Sequence, residues 1–241
     1  MDAQPKYRRI QLKISGEGLA GPGGSGIGEE ALHRVAAEIK SVHDLGVQVA
    51  VTVGGGNIIR GSTLAAQSHI PEATAHYMGM LATVINALAL QETLEALGLT
   101  TRVMSAVAVA SVCEPFVRRR CVRHLQKDRV AILAGGTGRP FVTTDTAAAL
   151  AAAEIAAEAL FKATQVDGVY SADPKQVPNA EFYRTLTYDR VINERLKVMD
   201  LSAVDMCQRN HIPIVVFNLH KPGNMSRIVL GEPVGTTIGK G

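Results

Sequence analysis

Short apolar runs alternate along the chain with longer segments in which apolar residues recur at helical spacing. Residues 8–14 alternate between polar and apolar positions and end apolar, which predicts a first strand. Residues 32–42 then have helical periodicity, and Gly46 ends that segment before a second apolar run at residues 47–53. Strand, helix and strand within about 50 residues predict two parallel strands joined by a right-handed crossover.

The middle of the chain continues this alternation. After a polar segment, Pro71 begins a predicted long helix that extends to Leu97 and is stopped by Gly98. Residues 101–109 and residues 130–134 are predicted strands. The second of these strands leads into the glycine-rich residues 135–140, so a second glycine loop follows a strand.

The last part of the chain completes an α/β pattern. Thr143-Thr144-Asp145 begins a predicted alanine-rich helix, because hydroxyl and carboxylate side chains cap the free amides at the start of a helix. This predicted helix ends at Ala159. A helix at residues 201–209 and a strand at residues 214–217 follow. We therefore predict a three-layer α/β/α sandwich with a mainly parallel central sheet. It forms a single domain over residues 1–241, with an N-terminal lobe of about 1–158 and a C-terminal lobe of about 159–241.

Composition excludes several classes of protein. The chain is 46% hydrophobic and 20% charged, which is typical of globular proteins, and its net charge of +3 is too small to indicate nucleic-acid binding. The N-terminus lacks the apolar core of a signal peptide, and we expect no membrane-spanning segment. The three cysteines have no Cys-x-x-Cys spacing, so we expect neither disulfides nor a zinc site. We expect a reduced, cytoplasmic protein.

The apolar run at residues 47–53 stops at Gly54-Gly55-Gly56, and Arg60 follows shortly afterwards. Backbone amides without side chains form a concave surface that suits an anion. The planar guanidinium of Arg60 has the shape that binds phosphate oxygens. A tight turn after a buried strand is the simpler interpretation, but the three glycines together with the arginine favour a phosphate site.

One glycine motif does not indicate a dinucleotide site. Gly16-Glu17-Gly18-Leu19-Ala20-Gly21 matches the pattern G-x-G-x-x-G, which requires its third glycine to begin a helix and an acidic residue to end the next strand. Here glycine and proline continue to Gly28, and the next strand ends in glycines. A Walker A loop is also missing from the sequence.

Three polar, glycine-containing loops follow predicted strands, at residues 13–18, 53–60 and 135–145. In parallel α/β sheets, ligands bind outside the carboxyl ends of the strands, so Lys13, Arg60 and Asp145 are expected to face one crevice. Phosphoryl transfer needs alignment and positive charge around the equatorial oxygens, which Lys13 and Arg60 can supply. A solvated lysine and a helix-capping aspartate are the simpler interpretations of Lys13 and Asp145.

These motifs resemble the bacterial UMP kinases of the amino-acid kinase family, in order and almost without gaps from about Tyr7 to Ile238. The set is specific as a whole, whereas each member alone is not. The resemblance rests on these segments: Lys13-Ile14-Ser15-Gly16-Glu17, Gly54-Gly55-Gly56-Asn57, Arg60-Gly61, Met78-Gly79-Met80, Gly136-Thr137-Gly138, Thr143-Thr144-Asp145, Lys162-Ala163-Thr164, Asp167-Gly168-Val169-Tyr170, Ala172-Asp173-Pro174 and Leu196-Lys197-Val198-Met199-Asp200.

The resemblance implies transfer of the ATP γ-phosphoryl group to UMP in pyrimidine nucleotide biosynthesis, with Mg²⁺ carried on the nucleotide and no direct metal ligand in the chain. It implies catalytic roles for Lys13, Arg60 and Asp145. The implied ATP-binding residues are Lys13, Ile14, Ser15, Gly16, Gly56, Arg60, Thr164, Tyr170 and Asp173. The implied UMP-binding residues are Gly55, His76, Thr137, Gly138, Arg139, Pro140, Phe141, Val142, Thr143 and Thr144.

Three positions depart from the pattern of the family. His76 stands where the family has an aspartate that holds the ribose hydroxyls of UMP, Arg139 where an asparagine is usual, and Val142 where a phenylalanine is usual. A neutral imidazole offers one donor and one acceptor, whereas a carboxylate offers two acceptor oxygens. We therefore predict that His76 weakens UMP binding by about 1–3 kcal/mol, although His76 could still bond one hydroxyl at little cost.

The resemblance also implies a homohexamer, activated by GTP and inhibited by UTP. The predicted helix from Pro71 to Leu97 suits a dimer core or the core of a monomer. Arg102 and the basic segment at residues 118–123 suit the phosphates of an effector, although such a charge run on a helix also suits a solvated face. Gln91 and Glu95 lack the positive charge expected of a GTP site.

Two other functions remain open from the sequence. The first is a kinase of the same fold that acts on a carboxylate or carbamate, which Gly136-Thr137-Gly138 and Thr143-Thr144-Asp145 disfavour. The second is a non-catalytic nucleotide sensor or nucleic-acid binder that uses the basic cluster around Arg119. It would show steep salt dependence of nucleic-acid binding and no phosphoryl transfer.

Overall fold

A computed structural model describes residues 4–21, 23–67, 69–174, 176–177 and 179–240. The longer strands are runs rich in apolar and β-branched residues. The strands are β1 Arg9–Ile14, β2 Gln48–Val53, β3 Thr101–Ser105, β4 Glu114–Pro115, β5 Val130–Ala134, β6 Ala159–Thr164, β7 Val169–Tyr170, β8 Phe182–Tyr183, β9 Thr185–Thr187, β10 Ile214–Asn218 and β11 Thr236–Gly239. The helices are α1 Glu29–His43, α2 Gly61–Gln67, α3 Glu72–Ala96, α4 Arg118–Gln126, α5 Thr144–Glu154, α6 Tyr188–Asn193, α7 Leu201–Arg209 and α8 Asn224–Val229.

The central sheet has nine strands in the order β4-β3-β5-β2-β1-β6-β10-β11-β9. Neighbouring strands in the part of this order that runs from β4 through β3, β5, β2, β1 and β6 to β10 pair in parallel. β11 pairs antiparallel with β10. β1 lies at the centre between β2 and β6, so the loops that follow these three strands emerge at the same edge of the sheet. The predicted parallel pairing of the first two strands is confirmed.

Two cores lie on opposite faces of the sheet, because successive side chains of a strand point to opposite sides. Ile10, Leu12 and Ile14 of β1 join the core under α1, α3 and α8. Leu160 of β6 joins the other core, which contains α5 and α7. The three-layer α/β/α architecture with a mainly parallel sheet is therefore as predicted.

Several predicted boundaries were wrong. The helix that begins after Thr143 ends at Glu154 instead of Ala159, because Ala156 turns the chain with a φ of 53° and Ala159 already belongs to β6. The strand predicted for residues 101–109 ends at Ser105, whose hydroxyl bonds to the backbone of Val107 and so favours a turn. The polar segment after Arg60 contains the short helix α2.

Helix α3 combines burial with an exposed apolar stripe. Among the described residues it is the one helix long and apolar enough, by length and composition alone, to cross a membrane, which the sequence interpretation did not anticipate. Core helices of soluble proteins meet the same criterion, and 44% of its most apolar window is buried inside the protein. Tyr77, Leu81 and Ile85 remain 43%, 44% and 49% exposed at a spacing of four residues, so they share one face.

Candidate active site

Two lysines lie side by side at the centre of the sheet. Lys13 on β1 and Lys162 on β6 are paired in the parallel register, so their side chains leave the same face of the sheet. The side chains are only 9% and 13% exposed. Two buried ammonium groups on neighbouring strands require a nearby anion, because burying an unpaired charge is costly.

Asp145 supplies that anion. Its Oδ1 lies 2.7 Å from Lys13 Nζ, and its Oδ2 lies 2.5 Å from Lys162 Nζ. Asp145 sits in the first turn of α5, where Thr143 caps the helix by accepting hydrogen bonds from the amides of Asp145 and Thr146. A carboxylate is favoured at a helix N-terminus, so the local sequence places Asp145 opposite both lysines.

The three groups form an ionised cluster with net positive charge. Burial acts to raise the pKa of Asp145, but the Lys13 and Lys162 ammonium groups outweigh it and hold that pKa below its usual value. Burial lowers the pKa of Lys162, and Asp145 opposes this shift. Two cations around one carboxylate leave positive charge for an incoming anion.

Asp200, which precedes α7, extends the cluster. Its Oδ2 accepts hydrogen bonds from Thr143 Oγ1 and, at 3.5 Å, from Thr146 Oγ1. Burial and then the charge of Asp145 raise the pKa of Asp200. Thr143 therefore links the start of α5 to the start of α7 and fixes the position of Asp145 relative to Asp200.

The glycine loops after β1 and β2 pack backbone against backbone. A Cβ atom on Gly16 would lie 2.5 Å from both Gly56 N and Asn57 Oδ1, and one on Gly54 would lie 2.7 Å from Gly16 N. A Cβ atom on Gly55 would lie 2.6 Å from the carbonyl oxygen of Gly79 in α3. Only glycine fits at these contacts, so glycine is what allows these loops and α3 to approach one another so closely.

A cavity of about 410 Å³ opens beside these loops. Residues of four segments line it, and they include Gly55, Gly56, Arg60, His76, Phe141, Val142, Thr143 and Thr144. Thr143 and Thr144 directly precede Asp145, so this cavity reaches one side of the charged cluster. Its volume is within the range of small-molecule sites.

A second cavity of about 570 Å³ lies beyond the end of β6. It is lined by Thr164, Tyr170 and Asp173 together with Val166, Gly168 and Val198. Thr164 follows Lys162 by two residues on the same strand, so this cavity begins close to Lys162 in the chain. The structure thus provides two ligand-sized cavities, each lined by residues within two positions of Asp145 or Lys162. Such an arrangement suits the passage of an anionic group from one bound molecule to another.

The model of the amino acid kinase family matches residues 9–218 of this chain. The chain belongs to the amino acid kinase family. It is 55% identical to uridylate kinase of Paramagnetospirillum magneticum over 238 residues, which is 99% of each protein. It is 53% identical over 234 residues to the chloroplastic uridylate kinase PUMPKIN of Arabidopsis thaliana, covering 97% of this chain and 69% of that protein.

Solved structures show the same family likeness. The UMP kinase of Bacillus anthracis superimposes with a TM-score of 0.93 at 40% identity, over 97% of this chain and 96% of that one. The UMP kinase of Ureaplasma parvum superimposes with a TM-score of 0.90 at 35% identity, over 98% of this chain and 100% of that one. The family resemblance drawn from the sequence motifs is confirmed.

The structure brings together most, but not all, of the residues that the family resemblance implied for the acceptor. Gly138, Arg139 and Pro140 are not among the residues that line the 410 Å³ cavity. Thr137 lines a separate cavity of about 150 Å³ with Met104 and Leu133, and its buried hydroxyl has no hydrogen-bond partner. Gly56 and Arg60, which the resemblance assigned to ATP, line the same cavity as the acceptor residues.

Three further residues contribute to this family site, and all three lie in the motif segments quoted for the resemblance, which gave them no individual role. Lys162 and Asp200 belong to the charged cluster, and Glu17 forms an ion pair with Arg60. The charge of Lys162 within the apolar run Leu160-Phe161-Lys162-Ala163 was the signal that could have found it. The residue type of Asp200 and Glu17 does not by itself indicate a role, because polar residues are ordinary in loops.

Proposed function

We propose that this chain is a UMP kinase that transfers the γ-phosphoryl group of ATP to UMP, giving ADP and UDP in pyrimidine nucleotide biosynthesis. The observation that carries the proposal is the Lys13–Asp145–Lys162 cluster, whose sequence neighbours line two ligand-sized cavities. Full-length similarity to uridylate kinases supports the same acceptor.

ATP is assigned to the 570 Å³ cavity, where Thr164, Tyr170 and Asp173 would contact adenine and ribose. Lys13, Ile14, Ser15, Gly16 and Gly56 are assigned to its phosphates. UMP is assigned to the 410 Å³ cavity, with its phosphate near Gly55 and Arg60, which line it. The two phosphates then meet at the charged cluster.

In the reaction, an oxygen of the UMP phosphate forms a bond to the γ-phosphorus while the bond from that phosphorus to the β,γ-bridging oxygen breaks. The attacking oxygen is already ionised at neutral pH, so the reaction does not require a general base. Lys13, Lys162 and Arg60 would stabilise the charge on the transferring group and on the ADP leaving group. Asp145, whose pKa is held low, would orient both lysines and remain ionised.

Mg²⁺ is proposed to arrive on the ATP phosphates. Among the described residues no group of three or more histidine, cysteine, aspartate or glutamate side chains is placed to hold a metal. Carboxylates and substrate phosphates are the usual Mg²⁺ ligands, and Asp200 beside the cluster fits the role of a single carboxylate from the protein. The bound ion would neutralise charge on the phosphates.

We also propose that the protein is a cytoplasmic homo-oligomer, a hexamer as in the resemblance, with dimers formed through α3. The exposed stripe of Tyr77, Leu81 and Ile85 suits a self-complementary contact. Light scattering of the native protein and of Ile85→Lys tests this, since a smaller native-like species is expected from the variant. An unchanged size for Ile85→Lys would contradict the contact.

Regulation by GTP as an activator and UTP as an inhibitor is likewise proposed, and the structure lowers the expected response to GTP. Glu114 lies 3.5 Å from Arg120, 3.9 Å from Arg102 and 3.3 Å from His124, so one carboxylate partly neutralises the basic region. The proposal is therefore a weak activation that becomes stronger when Glu114 is changed to glutamine.

A coupled assay of ADP release tests the function. ATP–Mg²⁺ is supplied with UMP, CMP, dUMP or aspartate as acceptor, with and without GTP or UTP. Turnover with UMP well above that with the other acceptors is expected. Turnover with aspartate alone would indicate a carboxylate kinase, and no turnover with any nucleotide would refute the proposal.

A further inference from the structure

His76 makes a specific contact with the acceptor loop, defined as residues 136–144. Its Nδ1 atom accepts a hydrogen bond of 2.7 Å from the backbone amide of Phe141. Its ring also meets the Phe141 ring edge-on, with centroids 4.9 Å apart. Helix α3 and the acceptor loop are therefore joined at one side chain, across 65 residues of sequence.

This contact determines which ring nitrogen carries the proton. A backbone amide can only donate, so Nδ1 must be the unprotonated nitrogen, and a neutral ring then carries its hydrogen on Nε2. Nε2 faces Glu72, whose Oε1 lies 3.8 Å away on the preceding turn of α3. Nδ1 holds the loop, and Nε2–H is the group left to face Glu72.

The loop needs such a contact to keep its shape. Phe141 has a φ of 67°, in the left-handed region that a bulky side chain disfavours. Its side chain is 66% exposed, so burial contributes little to holding it there. Two interactions with His76 oppose this backbone cost, namely the hydrogen bond from the Phe141 amide and the edge-on ring contact.

The position of the loop determines the shape of the acceptor cavity. His76, Phe141, Val142 and Thr143 line the same cavity as Gly55 and Arg60. Thr143, at the end of the loop, also caps α5 and donates to Asp200. A loop released from α3 would open one wall of this cavity.

We propose that His76 is a positioning residue that latches the acceptor loop to α3 through Nδ1, and so sets the affinity for the acceptor nucleotide. The inference rests on the proposed function, because it concerns the UMP side of that site. It differs from a ribose-binding role, since the working atom is an acceptor for a backbone amide.

Three substitutions separate the latch from other roles. Asparagine can place its amide oxygen where Nδ1 lies, whereas the amide of glutamine extends towards the position of Nε2. Alanine removes both groups. We expect His76→Ala and His76→Gln to raise the KM for UMP about tenfold, the value expected for loss of a hydrogen bond together with loop order. His76→Asn is expected to stay within about twofold of the native KM.

The KM for ATP, the kcat and the melting temperature are expected to change little in all three variants. Glu72→Gln is the matched control, since it removes the neighbour of Nε2 and leaves the latch intact, and it should behave as the native protein. Equal effects of asparagine and glutamine, or an unchanged KM for UMP in His76→Ala, would overturn the proposal.

Amide hydrogen exchange at Phe141, measured without nucleotide, tests the latch independently of activity. Faster exchange in His76→Ala and His76→Gln, with native exchange in His76→Asn, is expected. The same exchange rate in all variants would overturn the latch. If the native protein makes no UDP, the proposed function fails while this measurement still decides whether His76 holds the loop.

Discussion

Replacing Lys162 by methionine removes one of the two ammonium groups that face Asp145 while keeping a side chain of similar length. The Lys162 side chain is 13% exposed, and its Nζ lies 2.5 Å from Asp145 Oδ2. Methionine fills much of the space without charge. The substitution therefore tests charge at the cluster with little change in packing.

We expect Lys162→Met to lower kcat strongly and to change the KM for ATP little. Loss of one preorganised donor from a transition-state site costs about 3–4 kcal/mol, which is a fall of about 10²–10³ in kcat. Lys162 does not line the cavity assigned to ATP, so the KM for ATP should change little. Asp145 keeps Lys13 at 2.7 Å, so the loss of stability should stay below the roughly 3–5 kcal/mol seen when a buried charge loses its partner.

The assay is single-turnover formation of UDP, measured by rapid quench at saturating ATP and UMP, together with urea unfolding. Lys40→Met is the matched control, because Lys40 on α1 makes an exposed ion pair of 2.9 Å with Asp44, the residue that follows this helix. The control should keep the native rate. A rate for Lys162→Met within about threefold of native would refute a role for its charge in the transition state, because such a change is under 1 kcal/mol.

Four further results are expected. His76→Asp should lower the KM for UMP by a factor equivalent to about 1–3 kcal/mol. A carboxylate can still accept the hydrogen bond from the Phe141 amide, and its charge strengthens bonds to the ribose hydroxyls of UMP. An unchanged KM in steady-state assays would contradict this. Gly16→Ala should abolish tight ATP binding in calorimetry, because its Cβ would lie 2.5 Å from Gly56 N, whereas Gly239→Ala, which meets open space, should bind normally. Thr143→Ala should cost about 1 kcal/mol in urea unfolding by removing the cap of α5, and no loss would argue against that cap. The pKa of Asp145 is lowered in the folded protein, so its ionised form stabilises the fold at pH values above the usual carboxyl pKa of about 3.9. This stabilisation is lost as the pH falls through the lower folded pKa. Asp145→Asn should therefore flatten the acid dependence of the unfolding free energy.

Much of the fold follows from periodicity and glycine placement. Gly46 and Gly98 end helices with φ of 81° and 85°, so these helix ends were predictable from residue type. Ala156 turns the chain at a φ of 53° inside an alanine-rich run, where no glycine marks the end of the helix. The boundary at this point depends on how α5 packs on the sheet, which local sequence does not encode.

The site was predictable where chemistry and strand position coincide. Lys13 and Asp145 form an ion pair, as expected, because both lie near the carboxyl ends of parallel strands, where loops and ligands gather. The role of Lys162 was not predicted because it depends on the register that sets Lys162 beside Lys13, and this register involves strands about 150 residues apart in sequence. The His76 contact with Phe141 was missed for a similar reason, since the loop conformation at a positive φ has no signal in a phenylalanine.

We propose that the phosphoryl group moves directly from ATP to UMP beside the cluster of Lys13, Asp145 and Lys162. The most direct measurement is the transfer of label from ATP labelled at its γ-phosphorus, with the native protein and with Asp145→Asn. We expect label in the β-phosphate of UDP with the native protein and a transfer rate lower by about 10² or more with Asp145→Asn. Label released only as inorganic phosphate, or equal transfer by both proteins, would contradict it.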